Sequence, residues 1–244
     1  MLHKTAQLGH SNMLMLLIER TGAKTDLVNS QLATPLHMAC QSNKESIVKF
    51  LIGCGVDANV QDEHGYTPLL ICCSNGFTSL ASLLVESSIA GHLPEPLEVD
   101  TRDHRGSITA LNCAAMKGQL EIIKILVSRG QADVNQTFSK GLSPLMHAAL
   151  GGYTEVVRYL IEKRANPLKQ DSSGATALHH AIKNGHLGVL DVMLEQGVDV
   201  HSAIELADNA GRTPLFEAVE KEGGLRTIIP AENMIRVITK PKRQ

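Results

Sequence analysis

Tryptophan is absent from the 244 residues, and aromatic side chains make up only 3% of them. Binders of single-stranded nucleic acid stack bases on aromatic platforms, and so sparse a set does not supply them. Positive charge is not in surplus either: 23 Lys and Arg stand against 25 Asp and Glu, for a net charge of −2. The basic balance that draws a protein to nucleic acid is therefore missing. No apolar run approaches the roughly 18 residues that a membrane span requires. The N-terminus also lacks a cationic segment followed by an apolar core and a cleavage site. The five cysteines, Cys40, Cys54, Cys72, Cys73 and Cys113, are odd in number and have no paired spacing. That usage fits a reducing compartment, and a cytoplasmic or nuclear location is expected.

Catalytic and metal signatures are missing as well. No glycine-rich loop ends in Gly-Lys-Ser/Thr, and no Gly-x-Ser-x-Gly occurs. His179-His180 with His186 has no cysteine or carboxylate at zinc spacing, and Cys72-Cys73 are adjacent where a redox or zinc pair would be spaced. The residues point away from an enzyme and imply neither a metal nor a cofactor.

What is present is a repeat. Thr34-Pro35-Leu36-His37-Met38-Ala39-Cys40 returns at Thr67, Thr109, Ser143, Thr176 and Thr213, with spacings of 33, 42, 34, 33 and 37 residues. Self-similarity at such a period means stacked supersecondary units. Each signature reads as the start of a short helix. Thr or Ser can accept the orphan amides of the first turn, and Pro35, Pro68, Pro144 and Pro214 sit where a missing N–H costs nothing. Small pairs such as Ala39-Cys40, Cys72-Cys73 and Ala148-Ala149 let neighbouring helices approach closely. After a break at Asn43, Gly76, Gly118, Gly152 or Gly185, apolar residues at helical spacing mark a second helix, as in Ile122, Ile123, Ile125 and Leu126. Units close on Asp57-Ala58-Asn59, Asp133-Val134-Asn135 or Asp199-Val200-His201, followed by a turn such as Gln61-Asp62-Glu63-His64-Gly65.

Asp62-Glu63-His64-Gly65-Tyr66-Thr67-Pro68-Leu69 and Gly185-His186-Leu187 resemble the ankyrin repeat consensus, a unit of about 33 residues carrying Thr-Pro-Leu-His-x-Ala. The resemblance implies an all-α, ankyrin-type helix-turn-helix solenoid with hairpin-like loops and about six to seven repeats. One repeat domain is expected over residues 1–229, with units starting near 1, 34, 67, 109, 143, 176 and 213. His37, His179 and His186 then fill family positions and are structural.

Four irregularities qualify the pattern. The first unit lacks the Thr-Pro cap, so it is either an N-terminal cap or the cut edge of a longer parent. An insertion over 87–101, rich in Gly91, Pro94 and Pro96, ends a second helix near Ala90; it reads either as a tolerated surface loop or as part of a binding face. A smaller insertion lies around Ile204-Glu205-Leu206-Ala207. Pro230 interrupts the last unit, and residues 230–244 form an atypical tail in which Met234–Thr239 alternates like a short strand.

Such stacks present an extended surface of first helices and turn tips, which suits partner proteins more than small substrates. A protein-interaction module, scaffold or adaptor is expected, most simply a monomer. The alternative is a regulatory repeat fragment of a larger enzyme or channel. By the resemblance, the contact positions are Glu63, His64, Tyr66, Arg105, Lys117, Lys140, Leu142, Lys183, Arg212 and Lys221, together with others at the same places in the repeat, Met116 and Leu150 among them. Cations dominate that set, which favours an acidic partner segment, provided that the turn aspartates face inward. Asn59 in its Asp-x-Asn turn, with Leu51 eight residues earlier, also resembles the acceptor of an asparaginyl hydroxylase; the other reading of Asn59 is a turn cap.

Overall fold

The computed structural model describes residues 1–214 and residue 216; Lys221, Pro230 and the whole 230–244 tail lie outside the described residues. Among those residues the chain forms thirteen α-helices and no strand. They divide into two compact units, one of Met1–Ala114 with Gln119–Asp133, the other of Ala115–Gly118 with Val134 onward.

The first unit is built from short antiparallel pairs: α1 (Leu2–Leu8) with α2 (Ser11–Thr21), α3 (Pro35–Gln41) with α4 (Glu45–Gly53), and α5 (Pro68–Asn75) with α6 (Thr78–Ile89). The helix α7 (Ala110–Met116) begins in this unit, which also contains α8 (Leu120–Ser128). First helices pack on first helices, α1 on α3 and α3 on α5, and second on second, α4 on α6 and α6 on α8. The second unit repeats the scheme with α9 (Pro144–Leu150), α10 (Thr154–Glu162), α11 (Ala177–Lys183) and α12 (Leu187–Glu195).

The sequence dictates these boundaries locally. Thr34, Thr67, Ser143 and Thr176 have extended backbones, and each accepts the amide three residues on through its side-chain oxygen. The breaks enter left-handed backbone, at φ 75° for Gly76 and 53° for Asn43. Leu36, Leu69, Leu111, Leu145 and Leu178, the signature leucines, are at most 1% exposed. Beside them Cys40, Cys72, Cys73 and Cys113 are buried and in no disulfide. A hydrogen bond with Cys72, together with burial, holds the Cys40 thiol well above its ordinary value; burial does the same for Cys73. These thiols stay protonated and act as apolar fillers.

Two departures from the sequence reading have local causes. Asp199 does not close a unit as Asp57 does: its carboxylate accepts the Ser202 amide and caps an additional helix, α13 (Val200–Glu205), which takes up the smaller insertion. The larger insertion is tied down. Its Leu93 and Val99 are buried, and the Ser88 hydroxyl accepts the Leu97 amide at 2.8 Å. α6 ends at Ile89 and Gly91 turns the chain at φ 71°, as the Gly and Pro content implies.

Full burial of Leu145 makes Leu145→Ala cost about 2–5 kcal/mol through the cavity it leaves. Ser172→Ala at an exposed turn changes stability by less than about 0.5 kcal/mol. Thermal melts of the two variants test this; coincident curves would refute the register.

Candidate functional site

The buried polar groups are arranged to join one repeat to the next. Thr34 gives its amide (3.1 Å) and hydroxyl (2.8 Å) to Nδ1 of His37, whose Nε2 lies 3.0 Å from the carbonyl of Tyr66. Because a carbonyl only accepts, Nε2 carries the proton and Nδ1 is the acceptor. His179 is bracketed in the same way by Thr176 and the carbonyl of Arg212. His3 repeats half of the device, reaching the Ala33 carbonyl at 2.9 Å. That role was not read from the sequence, because the first unit lacks the Thr-Pro cap that marks the others. With both ring nitrogens committed, His37 and His179 are structural. His186 lies against Gly152, its ring about 2.6 Å from where a Cβ there would stand.

At Thr109 the bracket is incomplete. Asn112 takes the histidine place at 2% exposure, and neither its carboxamide atoms nor the Thr109 hydroxyl has a partner.

Turn tips within each unit are stitched by main-chain hydrogen bonds. In the first unit the Glu63 amide donates to Gln31 and that of His104 to His64; in the second, Ser172 donates to Lys140 and Asn209 to Ser173. Gln61 and Gln170 do the same job from the side, each donating to a carbonyl of its own turn and to one of the next. The turn aspartates face inward. Asp62 accepts the amides of His64 and Tyr66, and Asp103 those of Ser107 and Ile108. Asp171 takes His180 Nε2 at 2.8 Å as well as Ser173 and Ala175; burial pushes its carboxyl up, but these hydrogen bonds outweigh burial and hold it below the ordinary value. Asp208 is held low by hydrogen bonds from the Arg212 amide and guanidinium. One tip differs: Phe138 stands where the others have a carboxylate or Asn29, buried with its ring edge-on to His147.

The proposed contact residues fall into two groups. Glu63, His64 and Arg105 are exposed on tips of the first unit, with Tyr66 half-buried and its ring edge-on to His64. Lys117, Lys140 and Lys183 are exposed in the second unit, with Leu142 half-buried. Arg212 is turned onto Asp208 at 2.7 Å. Asn59 spans to the insertion, donating to the Pro96 carbonyl and accepting the Glu98 amide, both at 2.8 Å. Asn135 makes the matching bridge to Arg164 and Asn166. Tyr153 was missed by sequence reading: its ring packs within about 2.8 Å of the Cβ positions of Gly118 and Gly151, and it remains 37% exposed. The signal for it was the glycine at 118, which leaves room for a ring from the following repeat.

A sequence profile described as "Ankyrin repeats (3 copies)" matches residues 1–62, 42–138, 90–171, 129–204 and 168–235. The chain belongs to the ankyrin repeat family. It is 30% identical over 203 residues to human B-cell lymphoma 3 protein, covering 83% of this chain and 42% of that protein. It is 36% identical over 107 residues to human NF-kappa-B inhibitor alpha, covering 44% of the chain and 32% of the relative. The chain thus spans less than half the length of either. The crystal structure of the ankyrin repeat domain of Bcl-3 superposes with a TM-score of 0.78 at 26% identity, over 98% of this chain and 97% of that one. The fold is the all-α ankyrin architecture that the Thr-Pro-Leu-His signature implied.

Burial lowers the pKa of His37 against the opposing hydrogen bond to Tyr66, and burial likewise lowers that of His147. Since the folded value lies below the unfolded 6.5, their contribution to stability is complete above about pH 6.5 and is lost as pH falls toward the folded value. Stability should drop as pH falls below about 6.5, and His37→Gln, though less stable at neutral pH, should show a shallower drop. Equal slopes would remove His37 from the linkage. Restoring the bracket with Asn112→His should raise stability by about 1 kcal/mol, read as an increase in the unfolding midpoint; a lower midpoint would show that the site has no room for the ring.

Proposed function

We propose that this ankyrin repeat chain is a non-catalytic protein-interaction module that engages partners along its first helices and turn tips and prefers an acidic segment. The observation that carries the reading is the use of polar groups. The buried histidines and turn aspartates are consumed in joining repeats, while the exposed positions at the same turns differ from one repeat to the next. A surface whose scaffold is fixed by internal bonds and whose exposed residues vary is suited to recognising other proteins.

The sign of the preference rests on the tips. Because the turn carboxylates are turned inward onto amides, His180 or Arg212, the exposed Arg105, Lys117, Lys140 and Lys183 outweigh Glu63 at the surface. Lys140 in particular sits on the turn where Phe138 replaces the carboxylate. The likeness to B-cell lymphoma 3 protein and to a protein named as an inhibitor of NF-kappa-B supports a protein partner and a scaffold or adaptor role. A monomer working in the cytoplasm or nucleus completes the reading. Any hydroxylation of Asn59 must first release its carboxamide from the insertion, because both ends are bonded there.

Affinity capture with mass spectrometry identifies candidate partners, and the sign is tested on one of them. Reversing Lys117 and Lys140 to Glu should slow association, most at low salt, since screening acts over about 8 Å at physiological ionic strength. An on-rate and salt dependence identical to the parent would reject the acidic preference.

A further inference from the structure

The second helices start from equivalent residues, His10, Lys44, Phe77, Gln119, Tyr153 and His186, and can be compared place by place. Nine residues further on stand Glu19, Gly53, Glu86, Ser128, Glu162 and Glu195. Gly53 has neither of the usual structural reasons for a glycine: its φ is not left-handed, and a Cβ there would meet nothing within 4 Å. At the end of α4 it weakens the helix and leaves empty a place that a side chain takes in the other second helices.

The neighbouring seam is open as well. In the second unit Arg158 of α10 reaches across to Glu195 of α12 at 2.7 Å. The counterparts in the first unit, Lys49 and Glu86, turn apart, Lys49 back to Glu45 at 2.6 Å and Glu86 to Arg129. Leu83 is half-buried where its counterpart Val192 is 4% exposed. What results is a groove of about 450 Å³ between the ends of α4 and α6, walled by Ile52 and Leu83 and rimmed by Lys49 and by His92 of the insertion. That volume is within the range of ligand pockets. The His92 amide donates to the Ser87 carbonyl at 2.8 Å, which fixes the start of the insertion to the end of α6.

Ser87 also lines the groove. It is 5% exposed, and its hydroxyl has no hydrogen-bond partner among the described residues, whereas that of Ser88 holds the Leu97 amide. A buried hydroxyl without a partner is costly, and an occupant that carries a hydrogen-bonding group past apolar walls relieves the cost. Lys49 already has Glu45 as its partner, so selection falls to shape and to this one hydroxyl. A tyrosine side chain has the matching form: an apolar ring with, at its far tip, a hydroxyl that donates or accepts as the serine does.

We propose that this groove receives a tyrosine side chain of a partner protein, with the ring between Ile52 and Leu83 and the phenol hydroxyl bonded to Ser87. The site lies between second helices, away from the first helices and turn tips of the interaction-module reading, and rests on that reading only for the occupant's being a protein.

The test is selection of a phage-displayed library of random dodecapeptides on the intact chain, followed by fluorescence anisotropy of the enriched peptides. Enriched sequences should share a tyrosine. They should bind about tenfold more weakly to Gly53→Glu, which installs the side chain that most other second helices carry. Changing the peptide's tyrosine to phenylalanine should weaken binding to the parent about fivefold, and Ser87→Ala should weaken the tyrosine peptide by about the same factor while leaving the phenylalanine peptide unchanged. Unfolding midpoints no lower than the parent's show that both variants are folded; if Gly53→Glu melts early, the Ser87 comparison decides alone. A lower midpoint for Ser87→Ala would overturn the proposal by giving the hydroxyl a role inside the fold, and so would two losses that simply add. Peptides that bind Gly53→Glu as tightly as the parent but respond to Lys117→Glu/Lys140→Glu overturn the groove and leave the acidic-partner reading standing. No enrichment, or enrichment of sequences without tyrosine, also overturns it.

Discussion

A helix of seven residues cannot sustain itself in water, and α3, α9 and α11 have no more than that. Everything else in the chain follows from how these short helices are completed from outside. The Thr or Ser oxygen supplies the missing acceptor at the start, proline removes one donor that would need a partner, and the signature leucine and small pair bury against the next first helix. The last of these is not available to a repeat alone, since the apolar face of each pair is covered by its neighbours.

The same constraint decides what the polar side chains are free to do. A histidine bonded at both nitrogens, as His37 and His179 are, has no lone pair for a substrate proton and none for a metal. Each turn aspartate has likewise spent an oxygen on main-chain amides. These interior groups are therefore committed to the scaffold, and the side chains left exposed belong to residues whose backbone is fixed for other reasons. Lys140 illustrates this: its carbonyl holds Ser172 while its side chain projects outward, so substitution of the side chain alters the surface without loosening the stitch.

Much of this was legible in the sequence because the determining interactions are local. Thr34, Thr67, Ser143 and Thr176 cap helices that begin one residue later, and Gly76 or Gly152 ends them through backbone geometry that a single residue type reveals. What was not legible lacked a marker in the sequence, whether its partner lies near or far along the chain. His3 was not read as a bracket because its unit lacks the Thr-Pro cap that marks His37, although it reaches the Ala33 carbonyl thirty residues on. Asp199 reads like Asp57, and only the Ser202 amide and hydroxyl that it accepts turn it into a helix cap. Tyr153 followed the same rule, since its bed is made by glycines from two different repeats.

Charge shows most plainly why composition alone misleads in such a fold. Counted by residue, the turns look balanced, with Asp62, Asp103, Asp171 and Asp208 opposing the tip cations. Counted by where the charge is used, they are not: each carboxylate accepts amides of its own turn, Asp171 also holds His180, and Asp208 also holds Arg212. That last pair removes a cation from the surface along with an anion, so the correction works in both directions. The turn that breaks the rule, with Phe138 in the anchoring place, keeps its backbone bonds and gives up the carboxylate, which leaves Lys140 without an acid in its own turn. On a chain of net negative charge, the sign that a turn shows to solvent therefore depends on which of its charged groups the fold has already bonded.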